Sequence, residues 1–375
     1  MSLRCSEQRE RWIADSRGTT FPYWVPVAKE GWGARTFAPQ QPAHPPLPHA
    51  MPRYAIFGDS LSSEIHLPEL RAANGREPRW TLRIARSPCQ DEYSELLGQS
   101  DVMPGVHVRL YRIPNGYRLT YDDTGSFDIL HGGRDIVWFK GPSPWIDAAR
   151  LDIINRVLPI ALHAAGIFCL HASAVSIGQA GVAFLAPQHY GKSTLASALL
   201  ERGARILSDD VLPVTLAPGP MAWPGVHSVR LLDDAAAAVV GDADRLKAVA
   251  AYPMPRRDQQ QLPADKPAIT KQVLRGLPDH QLMCAPIPLA AVYVLAPTPA
   301  ESAEAVTRTR LPAVSAAVAL VQHAKCGVLL GKSEARVLFD RAIAIARQVP
   351  VYRLTVVRDL TRVGAVSEQV ARWHS

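Results

Sequence analysis

The stretch that most constrains how this chain can fold is an apolar strand pattern followed directly by a loop and a helix pattern. Residues 181–185, Gly-Val-Ala-Phe-Leu, form a short apolar run that is typical of a buried strand. After a loop over residues 186–191, Leu195 and Leu199 recur at helical spacing, and Gly203 stands where a left-handed cap would end the helix. A buried strand that leads into a helix through a short loop predicts an α/β core.

The loop ends in the run Gly191-Lys192-Ser193, directly at the predicted start of the helix. Backbone N–H groups at a helix N-terminus attract an anion, a lysine adds a positive charge, and a serine hydroxyl can hold Mg²⁺. This is the layout of a phosphate-binding loop, and it predicts ATP and Mg²⁺ as cofactors. The predicted nucleotide-binding residues are Ala186, Pro187, Gln188, His189, Tyr190, Gly191, Lys192, Ser193 and Thr194.

One position departs from the usual loop pattern, which opens with glycine, because this chain has Ala186 there. Alanine is compatible with the loop when its φ is negative, since only a positive φ would favour glycine. Pro187 pushes the residue before it towards an extended conformation. The sequence therefore predicts an intact loop with a negative φ at position 186.

A pair of carboxylates, Asp209 and Asp210, follows the next predicted strand, residues 205–207. Neighbouring side chains on an extended strand point to opposite faces, so we expect the two carboxylates to have different roles. Phosphoryl transfer needs positioned phosphates, neutralised charge and a group that accepts the proton of the attacking hydroxyl. A carboxylate pair beside a phosphate-binding loop supplies candidates for metal binding and for proton acceptance.

Together with His171, these motifs resemble HPr kinase/phosphorylase, which has a histidine at the same relative place, a loop ending in Gly-Lys-Ser, and an Arg-Gly-x-x-x-x-x-Asp-Asp run after one helix. The matching run here is Arg202 to Asp210, and the resemblance covers residues 150–212. The sequence also resembles HPr-kinase-related proteins of peptide natural-product clusters, some of which phosphorylate lasso-peptide precursors. This resemblance implies an α/β P-loop kinase core of the HPr kinase and phosphoenolpyruvate carboxykinase type. Relatives with phosphorylase activity have an acidic residue where this chain has Thr194, so phosphorolysis is left open.

The same resemblance implies roles for particular residues. Asp209 is expected to accept the proton, and Asp210 to bind the metal together with Ser193. Lys192 and His171 are expected to act in catalysis, His171 by bonding and tuning Asp209.

The composition restricts the surroundings and partners of the protein. The 375 residues are 47% hydrophobic and 20% charged, as in ordinary soluble proteins. No uninterrupted apolar run reaches the ~18 residues of a membrane helix, so a membrane is not expected as a partner. The five cysteines show no C-x-x-C spacing, which predicts a cytoplasmic location without zinc or disulfides. The formal charge is +7, but the sequence has no stripe of Lys and Arg with interleaved aromatic residues. This favours an acidic ligand over nucleic acid.

Three segments of different pattern predict the domain organisation. Residues 1–51 are rich in proline and have no periodicity, which predicts a disordered extension and makes Met51 a candidate for the true start. Residues 52–144 contain alternating strand patterns and the turn signal Asn115-Gly116, which predict a smaller β-rich N-terminal domain. Residues 145–375 are expected to form the HPr-kinase-like P-loop kinase domain.

Within that last segment, the helix around Pro159 is expected to kink or break there. A strand over residues 167–175 is expected to carry His171 beside the loop. The polar stretch 252–271 is interpreted either as a solvated linker or as a lid whose Arg257 or Lys266 reaches the transferred group.

The leading functional hypothesis is an ATP-dependent kinase that phosphorylates a serine hydroxyl of a peptide or small protein. A small-molecule kinase on the same core is a second hypothesis, because no residue pattern specifies the acceptor. A third is a nucleotide-binding regulator without catalysis. The acceptor and a homo-oligomeric state are left open by the sequence.

Overall fold

The computed structural model of this protein describes residues 9–14, 20–25, 51–75, 77–89, 95–103, 105–141, 145–187, 190–240, 245–250, 270–274, 277–298 and 306–375. The chain divides into two compact units, Met1–His49 and Ala50–Ser375. In the first unit, strands Arg9–Ala14 (β1) and Thr20–Val25 (β2) pair as an antiparallel hairpin. The rest of the extension before residue 51 lies outside the described residues, so the disorder and the three-domain division stay predictions.

A nine-stranded sheet is formed by residues between 53 and 140 of the second unit. Its strands are Arg53–Ile56 (β3), Asp59–Ser63 (β4), Arg71–Ala72 (β5), Trp80–Ile84 (β6), Glu95–Met103 (β7), Val106–Ile113 (β8), Gly116–Tyr121 (β9), Gly125–Leu130 (β10) and Asp135–Lys140 (β11). The spatial order is β5-β3-β4-β6-β11-β10-β9-β8-β7. The hairpin expected at Asn115 forms between β8 and β9, where Asn115 has the left-handed φ of 66° that a tight turn needs.

The helix predicted around Pro159 does not end at the proline. It contains a π-helical turn, which is wider than a turn of an α-helix. Ile146–Asp152 (α1) runs into the π-helical turn Ile153–Val157 and then into Leu158–Ala164 (α2). The π-helical turn ends at Val157, two residues before the proline, whose ring would clash with the preceding turn of a regular α-helix. This segment connects the first sheet to the second.

The strands after residue 165 form a second nine-stranded sheet and a small three-stranded one. They are Phe168–Leu170 (β12), Ala172–Ile177 (β13), Ala180–Leu185 (β14), Arg205–Asp209 (β15), Leu212–Thr215 (β16), Met221–Ala222 (β17), Arg230–Leu231 (β18), Leu246–Ala250 (β19), Thr270–Leu274 (β20), Ile287–Thr298 (β21), Val306–Arg310 (β22) and Val351–Val357 (β23). The small sheet has the order β18-β20-β19. The helices of this part are Lys192–Leu200 (α3), Asp233–Val239 (α4), Ala313–Gln322 (α5), Gly327–Gln348 (α6) and Val363–Arg372 (α7).

The direction of the strands in the second sheet determines where a site can form. β21 pairs in parallel with both β14 and β23. β13 runs antiparallel to β14 and to β15, so β15 has the same direction as β14. The carboxyl ends of β14, β15, β21 and β23 therefore meet at one edge of the sheet, which is where open α/β sheets place their ligands.

The strand predicted over residues 167–175 is divided at His171, which corrects the expectation that His171 lies within a strand. β12 pairs with β16, whereas β13 pairs with β14 and β15, so the chain changes its partner strand at this residue. The N–H of His171 bonds instead to the carbonyl oxygen of His323 at 2.8 Å. The histidine is thereby placed at the carboxyl edge, next to the loop.

The described structure is a mixed α/β protein with large sheets and helices. Leu195 and Leu199 of α3 are buried against the second sheet, as their spacing predicted. Gly203 has the expected left-handed φ, 87°, just after this helix. None of the helices in the described ranges combines the length and the apolar character that crossing a membrane would require.

Candidate active site

The loop between β14 and α3 begins at Ala186 and ends at Gly191. Gly191 has a φ of 88°, a left-handed conformation that favours glycine, and its carbonyl accepts the first helical bond, from Leu195 N–H at 2.9 Å. Ala186 is fully buried. Its φ is not positive, as predicted. Alanine therefore fits the first loop position without backbone strain.

The ammonium group of Lys192 is folded back into this loop. Its Nζ donates hydrogen bonds to the carbonyl oxygens of Ala186 at 2.8 Å and of Pro187 at 3.3 Å, and the residue is only 8% exposed. Tyr190 is exposed, and Thr194 follows at the start of α3. Gln188 and His189, the other two predicted loop residues, lie outside the described residues.

Asp209 is held by hydroxyl and N–H donors. Ser193 Oγ lies 3.0 Å from its Oδ1 and 3.2 Å from its Oδ2, Ser173 Oγ donates to Oδ1, and the N–H of Arg230 lies 3.3 Å from Oδ2. Burial raises the pKa of Asp209, and the nearby charge of Asp210 raises it further. The hydrogen bonds to Asp209 lower this pKa, but the net effect is a rise. The first carboxylate thus contacts the loop serine directly.

Asp210 is held by the side chains of His171 and Lys325 instead. His171 Nδ1 lies 2.7 Å from its Oδ1, and Lys325 Nζ lies 2.8 Å from its Oδ2. Burial alone would raise the pKa of Asp210, but Lys325 and His171 outweigh it and hold this pKa well below its ordinary value. Asp210 therefore stays ionised, and its side chain remains 36% exposed.

Two expectations about these carboxylates are corrected. His171 bonds Asp210 and not Asp209. Asp210 is also not extended, because its φ is 89°, a left-handed conformation that is uncommon and strained for a residue other than glycine. Strand alternation is thus not the reason why the carboxylates have different partners. The reason is the turn of the backbone at Asp210, whose N–H is bonded to the carbonyl of Ala172 at 2.9 Å.

Sequence analysis missed the turn between α5 and α6, which delivers His323 and Lys325 to the site. Leu170 and Ala324 form an isolated β-bridge, and Lys325 N–H bonds to the carbonyl of Cys169 at 2.8 Å. Burial, followed by the positive charges of Lys192 and His171, lowers the pKa of His323 to about 4. No local pattern marks these residues, because backbone bonds between distant segments place them.

The loop, both carboxylates, His171 and the 323–326 turn line one cleft of about 1220 Å³. On the β15 side its wall contains the charged side chains of Asp209, Asp210, Arg230 and Asp234. On the β21 and β23 side the wall is mainly apolar, with Leu295, Pro297, Val356, Leu360, Val363 and Val366. The cleft thus offers a charged end and an apolar end on either side of the loop.

Oxygen ligands of the kind that Mg²⁺ prefers are present, but not as a complete metal cage. In the described ranges no group of three or more His, Cys, Asp or Glu side chains could hold a metal ion. Ser193 and Asp209 instead bring a hydroxyl and a carboxylate together. Mg²⁺ is usually held by one or two carboxylates plus phosphate and water, so these residues fit a Mg²⁺–nucleotide complex. Ser193 and Asp210, the pair predicted for the metal, share no such contact.

Comparison with known proteins adds little to this geometry. No known family matches the chain, and no curated protein does. Among solved structures, the HPr(Ser) kinase/phosphatase from Coxiella burnetii aligns over 55% of this chain and 95% of its own chain, with 11% sequence identity and a TM-score of 0.25. A likeness this weak carries no inference, so the interpretation of the site depends on its own residues.

Proposed function

We propose that this protein is an ATP-dependent kinase that transfers the terminal phosphoryl group of ATP to a hydroxyl acceptor. The observation that carries the proposal is the meeting of Lys192, Ser193 and Asp209 at the carboxyl edge of the sheet. These residues supply a phosphate-binding cation and oxygen ligands for Mg²⁺ at a helix N-terminus, which is what phosphoryl transfer requires. From the sequence resemblance, the proposed acceptor is a serine of a peptide or small protein, in the cytoplasm.

The two ends of the cleft suit the two ends of ATP. The start of α3 and Lys192 would bind the phosphates. The apolar wall formed by residues such as Leu295, Val356 and Val366 would surround the base, since nucleotide pockets are mostly apolar with a few polar groups. The base and the phosphates would then lie on opposite sides of the loop.

Mg²⁺ would be held by Ser193 and Asp209, together with phosphate oxygens and water. When bound, the ion neutralises charge on the phosphates. This proposal moves the metal role from Asp210 to Asp209. The reason is that Ser193 contacts Asp209, whereas the oxygens of Asp210 are paired with the side chains of His171 and Lys325.

Asp210 is then the carboxylate that receives the acceptor. Its side chain is 36% exposed and lines the cleft, so a hydroxyl group can approach it there. The acceptor oxygen forms a bond to the γ-phosphorus as the bond from that phosphorus to the bridging oxygen breaks. ADP leaves with that electron pair, and the hydroxyl proton passes to Asp210. A low pKa is compatible with this role, because orientation of the hydroxyl matters more than base strength in a loose transition state.

One observation favours a second candidate, a nucleotide-binding regulator without catalysis. Lys192 is bonded to the carbonyls of Ala186 and Pro187, so its ammonium must leave them to reach a phosphate. A small-molecule kinase would differ from the leading proposal only in its acceptor.

The test uses the full chain with ATP and Mg²⁺. ADP release is measured alone, with serine-containing peptides and with small hydroxyl compounds, and products are identified by mass spectrometry. A kinase for peptides gives a phosphopeptide, which disappears in Lys192→Ala and persists in Lys332→Ala, an exposed lysine of α6. ATP binding without any transfer would support the regulator, and absence of ATP binding would contradict every nucleotide-based proposal.

A further inference from the structure

Lys325 occupies an unusual place for a lysine. Its side chain is only 13% exposed, and lysine is seldom buried unless it is paired. The bond from its N–H to Cys169 and the neighbouring bridge between Leu170 and Ala324 tie its backbone to the second sheet. The fold therefore places the backbone of Lys325 beside the cleft, and the ion pair with Asp210 holds its ammonium group there.

The single ion pair of Lys325 leaves part of its binding capacity unused. An ammonium has three N–H donors, and one of them is directed at Asp210 Oδ2 at 2.8 Å. In the part of the chain that the structure describes, the other donors have no acceptor at hydrogen-bond distance. Both side chains line the same cleft as the loop, so these donors are available to a bound group.

The order of the residues along the cleft indicates which group would bind the unused donors of Lys325. Lys192 lies in the loop, Ser193 and Asp209 come next, and Asp210 with Lys325 follows. His323, in the same turn as Lys325, lines this cleft together with Lys192. A phosphoryl group in transit between ATP on the loop and an acceptor at Asp210 would move within the cleft that both lysines line.

We propose that Lys325 is a second phosphoryl-binding cation, which donates to Asp210 and to an oxygen of the transferred phosphoryl group at the same time. This inference depends on the proposed kinase function and adds a catalytic residue to it. As the bond from the γ-phosphorus to the bridging oxygen breaks and the bond to the acceptor oxygen forms, Lys325 stabilises charge on the equatorial oxygens. The lysine gains and loses no proton in this step, because the hydroxyl proton goes to Asp210.

The test replaces Lys325 by Met, which has a side chain of similar length without charge. We expect kcat to fall on the order of 10²–10³-fold, the range for removal of one donor from a transition-state charge. We also expect the preference for ATP over ADP in a binding titration to decrease, because the proposed contact of Lys325 with the nucleotide is to the γ-phosphoryl group, which ADP lacks. Affinity for ADP should not change. Lys332→Met removes an exposed lysine of α6 and is the matched control, with wild-type kcat and binding.

A second variant, Lys325→Gln, tests the same inference in case Lys325→Met does not fold. Lys325→Gln keeps a hydrogen-bond donor for Asp210 but lacks the charge, and the same losses are expected. A purely structural role would lower thermal stability and leave the ATP-to-ADP affinity ratio unchanged. If the folded Met or Gln variant keeps that ratio and wild-type kcat, the inference is overturned while the kinase proposal stands. If the wild-type protein binds no ATP, the proposed function itself fails, and this inference with it.

Discussion

Replacing Asp209 and Asp210 by Asn, one at a time, distinguishes the metal-binding carboxylate from the one that receives the acceptor. The two side chains are adjacent in sequence but have separate partners, Ser193 for Asp209 and the side chains of His171 and Lys325 for Asp210. Asparagine keeps the shape of each side chain and removes its charge. The two variants should therefore have different defects.

For Asp210→Asn we expect turnover to fall by about 10²–10⁴, the range for one general acid–base group. Nucleotide binding should survive, because Lys192 and Ser193 are untouched. The change also leaves the Lys325 ammonium without its counter-ion. The pair is intermediate between an exposed ion pair, worth about 0–1 kcal/mol, and a buried one, whose disruption costs about 3–5 kcal/mol. Unfolding free energy should therefore decrease by roughly 1–3 kcal/mol.

For Asp209→Asn we expect a higher Mg²⁺ requirement, because a neutral amide is a poorer ligand for a hard cation than a carboxylate. The stability of the variant should also depend less on pH than that of wild type, because it lacks the carboxyl group whose pKa differs between the folded and unfolded states. Burial raises the pKa of Asp209, so its ionised form is unfavourable in the folded state, and stability is lost as pH rises through this raised pKa. Wild type should therefore gain stability relative to this variant as pH falls from neutral to the ordinary range for Asp.

The assay is a Mg²⁺ titration of phosphoryl transfer for both variants, with ATP affinity and thermal unfolding measured in parallel at several pH values. A metal defect in Asp210→Asn together with a pure turnover defect in Asp209→Asn would refute the roles derived from the contacts and restore those derived from the sequence. Full activity in both variants would remove the kinase proposal.

Three further changes test the loop. Lys192→Ala should abolish transfer and weaken ATP binding on the order of 10–100-fold in a binding titration, since one charged hydrogen bond contributes about 1.5–3 kcal/mol. Ala186→Gly should cost only about 0.4–1 kcal/mol of unfolding free energy in a denaturant titration, because φ at this position is not positive and glycine adds freedom to the unfolded chain. Gly191→Ala should cost roughly 1–2 kcal/mol in the same titration, because its φ of 88° is left-handed, and an unchanged midpoint would contradict this backbone conformation.

The parts of the site that sequence could predict depend on neighbouring residues. The strand before Ala186, the helix after Gly191 and the cap at Gly203 each follow from local spacing and local backbone preference, and the structure has all three. The hairpin at Asn115 is of the same kind. The break at His171 was not predictable, because both sides of it are apolar and differ only in which strand they pair with.

The sequence by itself determined the glycine-ending loop, the lysine and serine at the start of α3, and the presence of two adjacent carboxylates. Tertiary structure decided how those carboxylates are paired. Lys325 reaches Asp210 because backbone hydrogen bonds tie the turn after α5 to the end of β12, far away in the chain. Asp210 turns towards it because its backbone is left-handed. Such pairings depend on sheet order and long-range backbone bonds, which leave no periodic pattern in the residues that they bring together.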